Sequence, residues 1–402
     1  MEVRPILSAM MRNRTGAVLV ALQIAFTLAI VVNSVFIIGE RIKKMNRPTG
    51  IDVENIITVY SRGIGEDFNK QQSVREDLEA LRVLPGVVAV TSAQHVPLSG
   101  SGWGSGLRPM PGGQETDDVG AARYNVSTQA VEAFGVKLES GRAFRGDEIV
   151  YRENHGDPRE VVIITRSMAD KLFPDGTAGP GTIVYDGLNR PITIIGIIEQ
   201  MHGAWVNWDK LDQVMLYPEV SDSPSTYYLI RTEPGERDRV MPLVEETLVG
   251  LNDRRVVERL RTLSDIKDRS YRGDRAMAIL LGTVIGLLIA ITALGIVGLA
   301  SYIIKQRTKQ IGTRRAIGAR KIDIIRYFLV ENWLMTTMGV IVGTALTLGL
   351  NYWLVTEFEL TRLDLLYVPA GIFVLWGLGL LAVLGPARRA AAIEPAIATR
   401  TV

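Results

Sequence analysis

The sequence predicts a membrane protein with four transmembrane helices and a large α+β domain outside the membrane. Four long apolar runs, and a mixed block at 40–275 between the first and second of them, support this fold class. That block carries a net charge of −6, whereas the rest of the 402 residues carries +8. Basic, apolar ends around a mildly acidic middle are typical of membrane proteins rather than of nucleic-acid-binding proteins. The chain has no cysteine, which excludes disulfides and thiolate metal sites.

The first apolar run, 17–39, follows a short segment at 1–16 and contains no charged residue. Its length is enough for a helix to cross a bilayer. The run is longer than the apolar core of a signal peptide, and it continues into charged sequence without a small-residue cleavage site. We therefore predict an uncleaved membrane anchor.

Three further apolar runs predict the remaining membrane helices at 276–304, 327–355 and 366–384. Gly339 and Gly343 form a G-x-x-x-G pattern in the third predicted helix, and such a pattern lets helix backbones approach closely in lipid. Ordinary packing between helices of the same chain is the simplest interpretation.

Orientation follows from the lysines and arginines of the short connecting segments. The segment 1–16, the loop 305–326 and the tail 385–402 are rich in these residues, with eight of them in 305–326. The loop 356–365 instead carries more acidic than basic residues. By the positive-inside rule, both termini and 305–326 are cytoplasmic, and 40–275 is extracytoplasmic, that is, periplasmic in a bacterial inner membrane.

Strand and helix signals alternate within 40–275. The predicted strands are 55–62, 87–93, 121–126, 161–165, 191–199, 227–231 and 256–260, and the predicted helices are 68–84, 167–172 and 236–251. This order predicts a discontinuous ferredoxin-like subdomain and an inserted mixed subdomain at about 118–222. The Gly/Ser/Pro-rich stretch 99–113 is predicted to be a flexible loop, with Trp103 as a candidate partner contact.

No pattern in the sequence predicts catalysis, a cofactor or a metal site in this chain. The dipeptide Gly-Lys of a phosphate-binding P-loop does not occur. His95, His155 and His202 lack the spacing of zinc ligands, and no Ser/His/Asp arrangement can be assigned. We therefore predict a non-enzymatic subunit.

The most informative stretch follows the second apolar run and reads QRTKQIGTRRAIGARKIDIIRYF over 306–328. Its isoleucines recur near helical spacing with bases between them, and Gly312 and Gly318 are predicted to break it into short pieces. On charge alone, an ordinary cytoplasmic loop that touches anionic lipid explains it as well.

The order of the residues favours a more specific interpretation. The segment Arg307–Ala319, RTKQIGTRRAIGA, resembles the coupling loop of the MacB/FtsX-like ABC permease family, R-T-x-E-I-G-x-R-x-A-I/L-G-A. Further segments resemble other parts of that family: 134–144, 165–176, 192–199, 295–302 and 386–400. The chain is identified as a member of this family, and we expect it to lack a fused ATPase.

The resemblance implies a permease subunit whose motion is driven by a cytoplasmic ABC ATPase dimer that binds ATP and Mg²⁺. Because about 16 residues precede the first span, the ATPase is expected in a separate chain. Motion passed to the periplasmic domain, called mechanotransmission, would drive efflux or extraction of a drug, peptide or lipid-linked cargo. A second permease copy or paralogue completes the dimer, and the family leaves open a periplasmic adaptor and an outer-membrane channel.

The resemblance also assigns candidate site residues. The ATPase-coupling loop comprises Arg307, Gln310, Ile311, Gly312, Arg314, Arg315, Ala316, Ile317, Gly318 and Ala319, and the cytoplasmic C-terminal motif comprises Pro386, Arg388, Arg389 and Pro395. Gln310 departs from the family's glutamate. An amide forms hydrogen bonds but no ion pair, so we expect a weaker or altered contact with the ATPase.

Two other classes of function remain open from the sequence. A membrane receptor would bind a ligand with its outer domain and signal through the basic loop, and it would usually carry a larger cytoplasmic output domain. A membrane-bound enzyme acting on lipid or peptidoglycan would need a set of catalytic side chains in 40–275.

Overall fold

The computed structural model describes residues 14–65, 68–112, 118–152, 159–221, 223–358 and 361–393. Two units can be distinguished: the membrane unit, formed by residues before 47 and after 272, and the α/β unit, formed by 47–272. In chain order, the helices of the described residues are α1 (Arg14–Met45), α2 (Lys70–Arg82), α3 (Ala130–Phe134), α4 (Arg166–Leu172), α5 (Arg237–Leu251), α6 (Leu263–Ser270), α7 (Arg272–Gln306), α8 (Thr308–Ala316), α9 (Lys321–Phe358) and α10 (Tyr367–Ala391).

The membrane unit contains four helices that are long and apolar enough to cross a bilayer. They are α1, α7, α9 and α10. Each extends beyond its apolar run because charged residues continue the helix at its ends; α9, for example, begins at Lys321 rather than at 327. The predicted fold class of four membrane helices plus an α+β domain is confirmed.

Helix α1 packs against α9 over the two glycines of the G-x-x-x-G pattern. A Cβ atom added at Gly339 would lie 2.7 Å from the carbonyl oxygen of Ala21, and one added at Gly343 would lie 2.9 Å from the Cα of Ala25. Only glycine permits this approach, and Ile24 and Leu28 fill the core beside it. The pattern thus serves packing within the chain.

Buried polar side chains join the membrane helices to one another. The hydroxyls of Thr27 and Thr292 are 2.8 Å apart, which links α1 to α7. The Asn33 amide donates to the carbonyl of Thr347 on α9 at 3.2 Å. Such bonds satisfy groups that would be costly to leave unpaired in lipid.

The α/β unit is built on one sheet with the path β12-β1-β11-β2-β4-β10-β7-β9-β5, and β3, β6 and β8 pair with β4, β10 and β9. The strands are β1 (Ile56–Gly63), β2 (Val87–Ala93), β3 (Trp103–Leu107), β4 (Val119–Val126), β5 (Leu138–Gly141), β6 (Val150–Arg152), β7 (Val161–Thr165), β8 (Ile183–Tyr185), β9 (Pro191–Ile198), β10 (Val214–Ser221), β11 (Ser225–Thr232) and β12 (Arg255–Thr262).

The four strands β12-β1-β11-β2 form the predicted ferredoxin-like part. All three neighbouring pairs are antiparallel, and α2 and α5 connect β1 to β2 and β11 to β12 along the chain. Both helices pack on one face, with Leu78 and Val244 against Val59 and Tyr228. The antiparallel order and the two crossover helices define the ferredoxin-like arrangement.

A buried ion pair lies beneath α2. The carboxylate of Asp77 accepts from Arg255 at 2.6 Å and from the hydroxyl of Tyr228 at 2.5 Å, and both charged side chains are fully buried. Burial, followed by the nearby Asp77 carboxylate, raises the pKa of Tyr228 well above its usual value. The attraction between the two charges offsets part of the cost of taking them out of water.

The inserted part has its own core, which includes Val162, Ile164, Ile194 and Met215. One residue pair, Ala93 opposite Val126, joins β2 to β4 and hence the two parts of the sheet. Because β3 pairs with β4, the inserted strands begin at Trp103, earlier than the expected boundary at 118.

The prediction of a flexible loop over 99–113 was wrong for 103–107. Strand β3 pairs with β4 along its whole length, from Trp103 opposite Arg123 to Leu107 opposite Val119. Its glycines allow close approach: a Cβ at Gly106 would lie 2.5 Å from the Cβ of Asp118. Backbone pairing with β4 outweighs the weak strand preference of a Gly/Ser sequence.

Candidate functional site

The predicted coupling loop folds as the short helix α8 between α7 and α9. Arg307 leaves the helical conformation and separates α8 from α7. Gly318 ends the helix with φ +105°, a conformation that favours glycine, and the N–H of Ala319 donates to the carbonyl of Arg314 at 3.1 Å. Helix α9 then starts, with the carboxylate of Asp323 accepting from the N–H of Arg320 at 3.0 Å.

The sequence predicted breaks at both Gly312 and Gly318, and the break at Gly312 was wrong. Gly312 lies inside α8 and is buried. One glycine within a helix costs about 1 kcal/mol relative to alanine, which packing can offset. Gly318 does end the helix.

One face of α8 is fixed to the membrane unit. Ile311 is buried in a cluster that includes Ile324, Phe328 and Ala387. The Arg315 guanidinium donates through Nη1 to the carbonyl oxygens of Ala391 at 3.0 Å and Ile393 at 2.9 Å. A cation at the last carbonyls of α10 is also favoured by the helix dipole. These contacts hold α8 against α9 and α10.

Arg307 adds an ion pair at the start of α8. Its Nη1 donates to both carboxylate oxygens of Glu331 at 3.1 and 3.2 Å, and to the hydroxyl of Tyr327 at 3.1 Å. The Glu331 side chain is 3% exposed. Arg314 also reaches Tyr327, with its guanidinium carbon 5.2 Å from the ring centre. Sequence reasoning assigned no role to Glu331, although a lone acid in an apolar run indicates a buried partner.

The opposite face of α8 is exposed. We call it the α8 outer surface, and it comprises Gln310, Arg314 and Ala316 of the helix together with Ile317 and Gly318 of the turn that follows it. Ile317 is 82% exposed, and Ile322 in the first turn of α9 is 62% exposed. Exposed bases flank the two isoleucines: Lys309, Arg320, Lys321 and Arg326. An exposed apolar side chain within a basic rim has the composition of a protein-docking surface.

The C-terminal motif lies partly beside this site. Pro386 is buried within α10, whereas Arg388 and Arg389 are exposed in its last turn. Pro395 lies outside the described residues. Since Arg315 binds the end of α10, the structure brings the two predicted motifs together. Ala319 is half-buried in the turn that follows α8.

The histidines of the α/β unit form no metal-binding cluster within the described part of the chain. His202 Nε2 lies 3.1 Å from Oδ1 of Asp212, and the nearby imidazole lowers the pKa of Asp212. Burial, with a smaller contribution from Arg123, lowers the pKa of His95 to about 4. His155 lies outside the described residues.

These features together define a multi-pass membrane protein with an α/β domain between the first two spans and a short helix between the next two. The chain belongs to the MacB/FtsX-like permease family. Residues 17–246 match the family described as MacB-like periplasmic core domain, and 282–395 match the FtsX-like permease C-terminal family. The family resemblance predicted from the sequence is confirmed, and it makes the chain a permease subunit of an ABC-type transporter.

Similar proteins include the macrolide export ATP-binding/permease proteins MacB. The protein from Neisseria meningitidis serogroup B is 25% identical over 411 residues, which cover 98% of this chain and 59% of the relative. The protein from Chromobacterium violaceum is 27% identical over 407 residues, which cover 96% of this chain and 58% of the relative. The chain thus spans about three fifths of the length of the curated relatives that it matches.

Two solved structures are similar to part of this chain. The periplasmic region of MacB from Actinobacillus actinomycetemcomitans is 17% identical and has a TM-score of 0.34, covering 55% of this chain and 94% of that one. The extracellular domain of the ABC-type transporter YknZ from Gram-positive bacteria is 17% identical and has a TM-score of 0.30. The match covers 50% of this chain and 100% of that one.

Proposed function

We propose that this permease couples ATP hydrolysis by a cytoplasmic ABC ATPase to motion of its α/β unit, and that α8 is the element that the ATPase contacts. The observation that carries this proposal is the division of α8 into a buried, bonded face and an exposed face with Ile317 at its end. In this proposal α8 and both termini are cytoplasmic in a bacterial inner membrane, and the α/β unit is periplasmic.

The contacts of α8 suit it to transmit force. A push on the α8 outer surface reaches α9 through Ile311 and the Arg307–Glu331 pair. It reaches α10 through the two hydrogen bonds of Arg315. A helix that is bonded to two membrane helices moves them with it, whereas an unattached loop would bend.

The α8 outer surface also predicts the chemistry of the ATPase face. Ile317 would enter an apolar pocket, since a well-packed apolar anchor contributes most of the binding energy in many interfaces. Carboxylates around that pocket would face Lys309, Arg314 and Arg320. Gln310, where the family has glutamate, would contribute a hydrogen bond rather than an ion pair.

The remaining parts of the proposed transporter follow from the family. ATP and Mg²⁺ would be bound by the ATPase, which we propose to be a separate chain, and a second permease copy or paralogue would complete the dimer. Mechanotransmission through the membrane helices would drive efflux or extraction of a drug, peptide or lipid-linked cargo. The names of the MacB relatives, which state macrolide export, support efflux.

A co-purification experiment tests the proposal. The C-terminally tagged chain is extracted from native membranes in mild detergent, and co-purifying proteins are identified by mass spectrometry. We expect an ABC-type ATPase with the wild type and its loss with Ile317→Asp. Leu365→Asp is the matched control, because Leu365 is 68% exposed and lies outside α8.

Two outcomes would contradict the coupling proposal. One is an ATPase that co-purifies equally well with correctly folded Ile317→Asp. The other is recovery of a signalling kinase without any ATPase, which would favour a sensor.

A further inference from the structure

A second candidate site lies in the α/β unit, on the sheet face opposite α2 and α5. Tyr60 and Tyr227 are cross-strand neighbours on that face, with ring centres 4.8 Å apart. A cavity of about 530 Å³ opens above it. This volume is within the range of pockets that hold drug-sized molecules.

The walls of the cavity are hydrogen-bonded to one another. The N–H of Leu98 donates to the carbonyl oxygen of Gly203 at 3.1 Å, and the N–H of Gly100 donates to the carbonyl oxygen of Ala204 at 2.9 Å. On another side, the Ser270 hydroxyl at the end of α6 donates to the carbonyl of Leu98. The cavity is therefore preformed, so a ligand would not have to order its walls.

The charged side chains that line the cavity are all basic. Arg259, Arg261 and Arg269 reach it, and among the described residues no aspartate or glutamate lines it. Within the described parts of the chain, neither Arg261 nor Arg269 forms an ion pair with a carboxylate. Guanidinium groups that line one cavity without neighbouring carboxylates create a positive potential that attracts an anion.

A β-bulge directs Arg259 to this wall. The pairing of β1 with β12 shifts register at Val59, so that Arg259 and Leu260 together face this one residue. Arg259 has φ +53°, which is unusual for a residue with a side chain. Its Nη1 lies 3.2 Å from the hydroxyl of Tyr227. Bulges and strained backbone are concentrated near functional sites.

The rest of the lining combines apolar and aromatic side chains with uncharged polar ones, among them Ser99, Ser101 and Asn207. Trp205, Val96 and Ile266 give the cavity apolar surface. His95 also lines it, and the buried Nε2 of its imidazole has no hydrogen-bond partner among the described residues. A ligand with both an anionic and an apolar part would satisfy the arginines, the imidazole and the aromatic wall.

We propose that this cavity binds an organic anion whose carboxylate or phosphate group contacts Arg261 and Arg269 and whose apolar part packs on Trp205. The ligand would be either a soluble organic anion or the headgroup of an anionic lipid. The proposal concerns the α/β unit alone and does not depend on ATPase coupling.

Calorimetric titration of the full chain in phosphatidylcholine nanodiscs tests it, with 1-naphthyl phosphate as probe. The uncharged analogue 1-naphthol controls for apolar binding. We expect the phosphate ester to bind at least about tenfold more tightly than the naphthol, the effect of one or two charge-assisted hydrogen bonds. We expect the double variant Arg261→Gln/Arg269→Gln to bind 1-naphthyl phosphate at least about tenfold more weakly than the wild type does. The double variant Arg261→Lys/Arg269→Lys keeps both charges, and its affinity should be within about threefold of wild type.

The matched control is Arg254→Gln, which removes an exposed arginine that does not line the cavity and should leave probe affinity unchanged. Equal binding of the phosphate ester and the naphthol would overturn the proposal, as would unchanged affinity in a folded glutamine pair.

Competition by phosphatidylglycerol in the disc would identify a lipid headgroup as the anion, and absence of competition would identify a soluble one. A thermal unfolding transition of the glutamine pair that matches the wild type would show that any loss of probe affinity is specific to the cavity.

Discussion

Arg307 and Glu331 show how a single ion pair can fix a helix to a membrane domain. The carboxylate of Glu331 is almost completely buried, and Arg307 donates to both of its oxygens. Removing the arginine would leave a buried charge without a counterion, which is costly in a low-dielectric interior. We therefore expect this ion pair to contribute substantially to the free energy of unfolding, although Arg307 lies at the junction of α7 and α8.

We predict that Arg307→Ala lowers the free energy of unfolding by about 3 kcal/mol or more, because it leaves the Glu331 carboxylate unpaired. Lys309→Ala, which truncates an exposed base of the same helix, should change it by less than about 0.5 kcal/mol. Unfolding in mixed micelles followed by circular dichroism measures both. Equal stability of the two variants would show that the pair is not formed. Adding Glu331→Ala to Arg307→Ala should recover part of the loss.

His95 makes the stability of the α/β unit depend on pH. Burial lowers the pKa of its imidazole from 6.5 to about 4, so the unfolded chain binds a proton in a pH range where the folded chain does not. Stability from this group is therefore fully present above pH 6.5 and is lost as the pH falls towards 4.

We predict that His95→Gln reduces the destabilisation between pH 6.5 and pH 4 by about 2 kcal/mol, a value discounted for the partial exposure of the ring. Thermal unfolding of wild type and variant at both pH values measures the difference. His202→Gln provides a comparison at the other described histidine. Identical pH dependence in wild type and His95→Gln would contradict the assignment.

At the scale of elements, the sequence predicts what depends on local pattern. Helix α4 and strands β2 and β7 lie within one residue of their predicted limits, because apolar periodicity and turn residues mark them. Strands β5 and β10 were missed, since each is stabilised by pairing with a strand that is distant in sequence. Strand β3 was missed because its Gly/Ser sequence has a weak strand preference, and pairing with β4 outweighs that preference. The inner and outer faces of α8 also depend on its neighbours, so the sequence could not separate Ile311 from Ile317.

The contact between α1 and α9 gives a prediction at this scale. Gly343→Leu should lower stability by about 1–3 kcal/mol, because its new side chain would overlap Ala25 and force the two helices apart. Gly349→Leu is the matched control on the same helix, since a Cβ at Gly349 meets no atom within 4 Å. Thermal unfolding in detergent compares the two. A smaller effect at Gly343 than at Gly349 would be inconsistent with this packing.

At the scale of the whole molecule, four spans could be predicted because the length of an apolar run is a local property of the sequence. The ferredoxin-like part could be predicted from the order of strands and helices, although the chain leaves it after β2 and returns only at β11. The basic cavity beneath α6 could not be predicted from the sequence, because its arginines come to line one cavity only after the bulge and the surrounding segments have formed.

The central proposal is that the α8 outer surface docks onto an ATPase. Since the chain has no cysteine, Ile317→Cys introduces a single thiol to which a benzophenone photocrosslinker can be attached in native membranes. We predict a covalent adduct with an ABC-type ATPase, identified by mass spectrometry, and no such adduct from Leu365→Cys, which is similarly exposed outside α8. Adducts with lipid alone at Ile317→Cys, in membranes where the ATPase is present, would contradict the proposal.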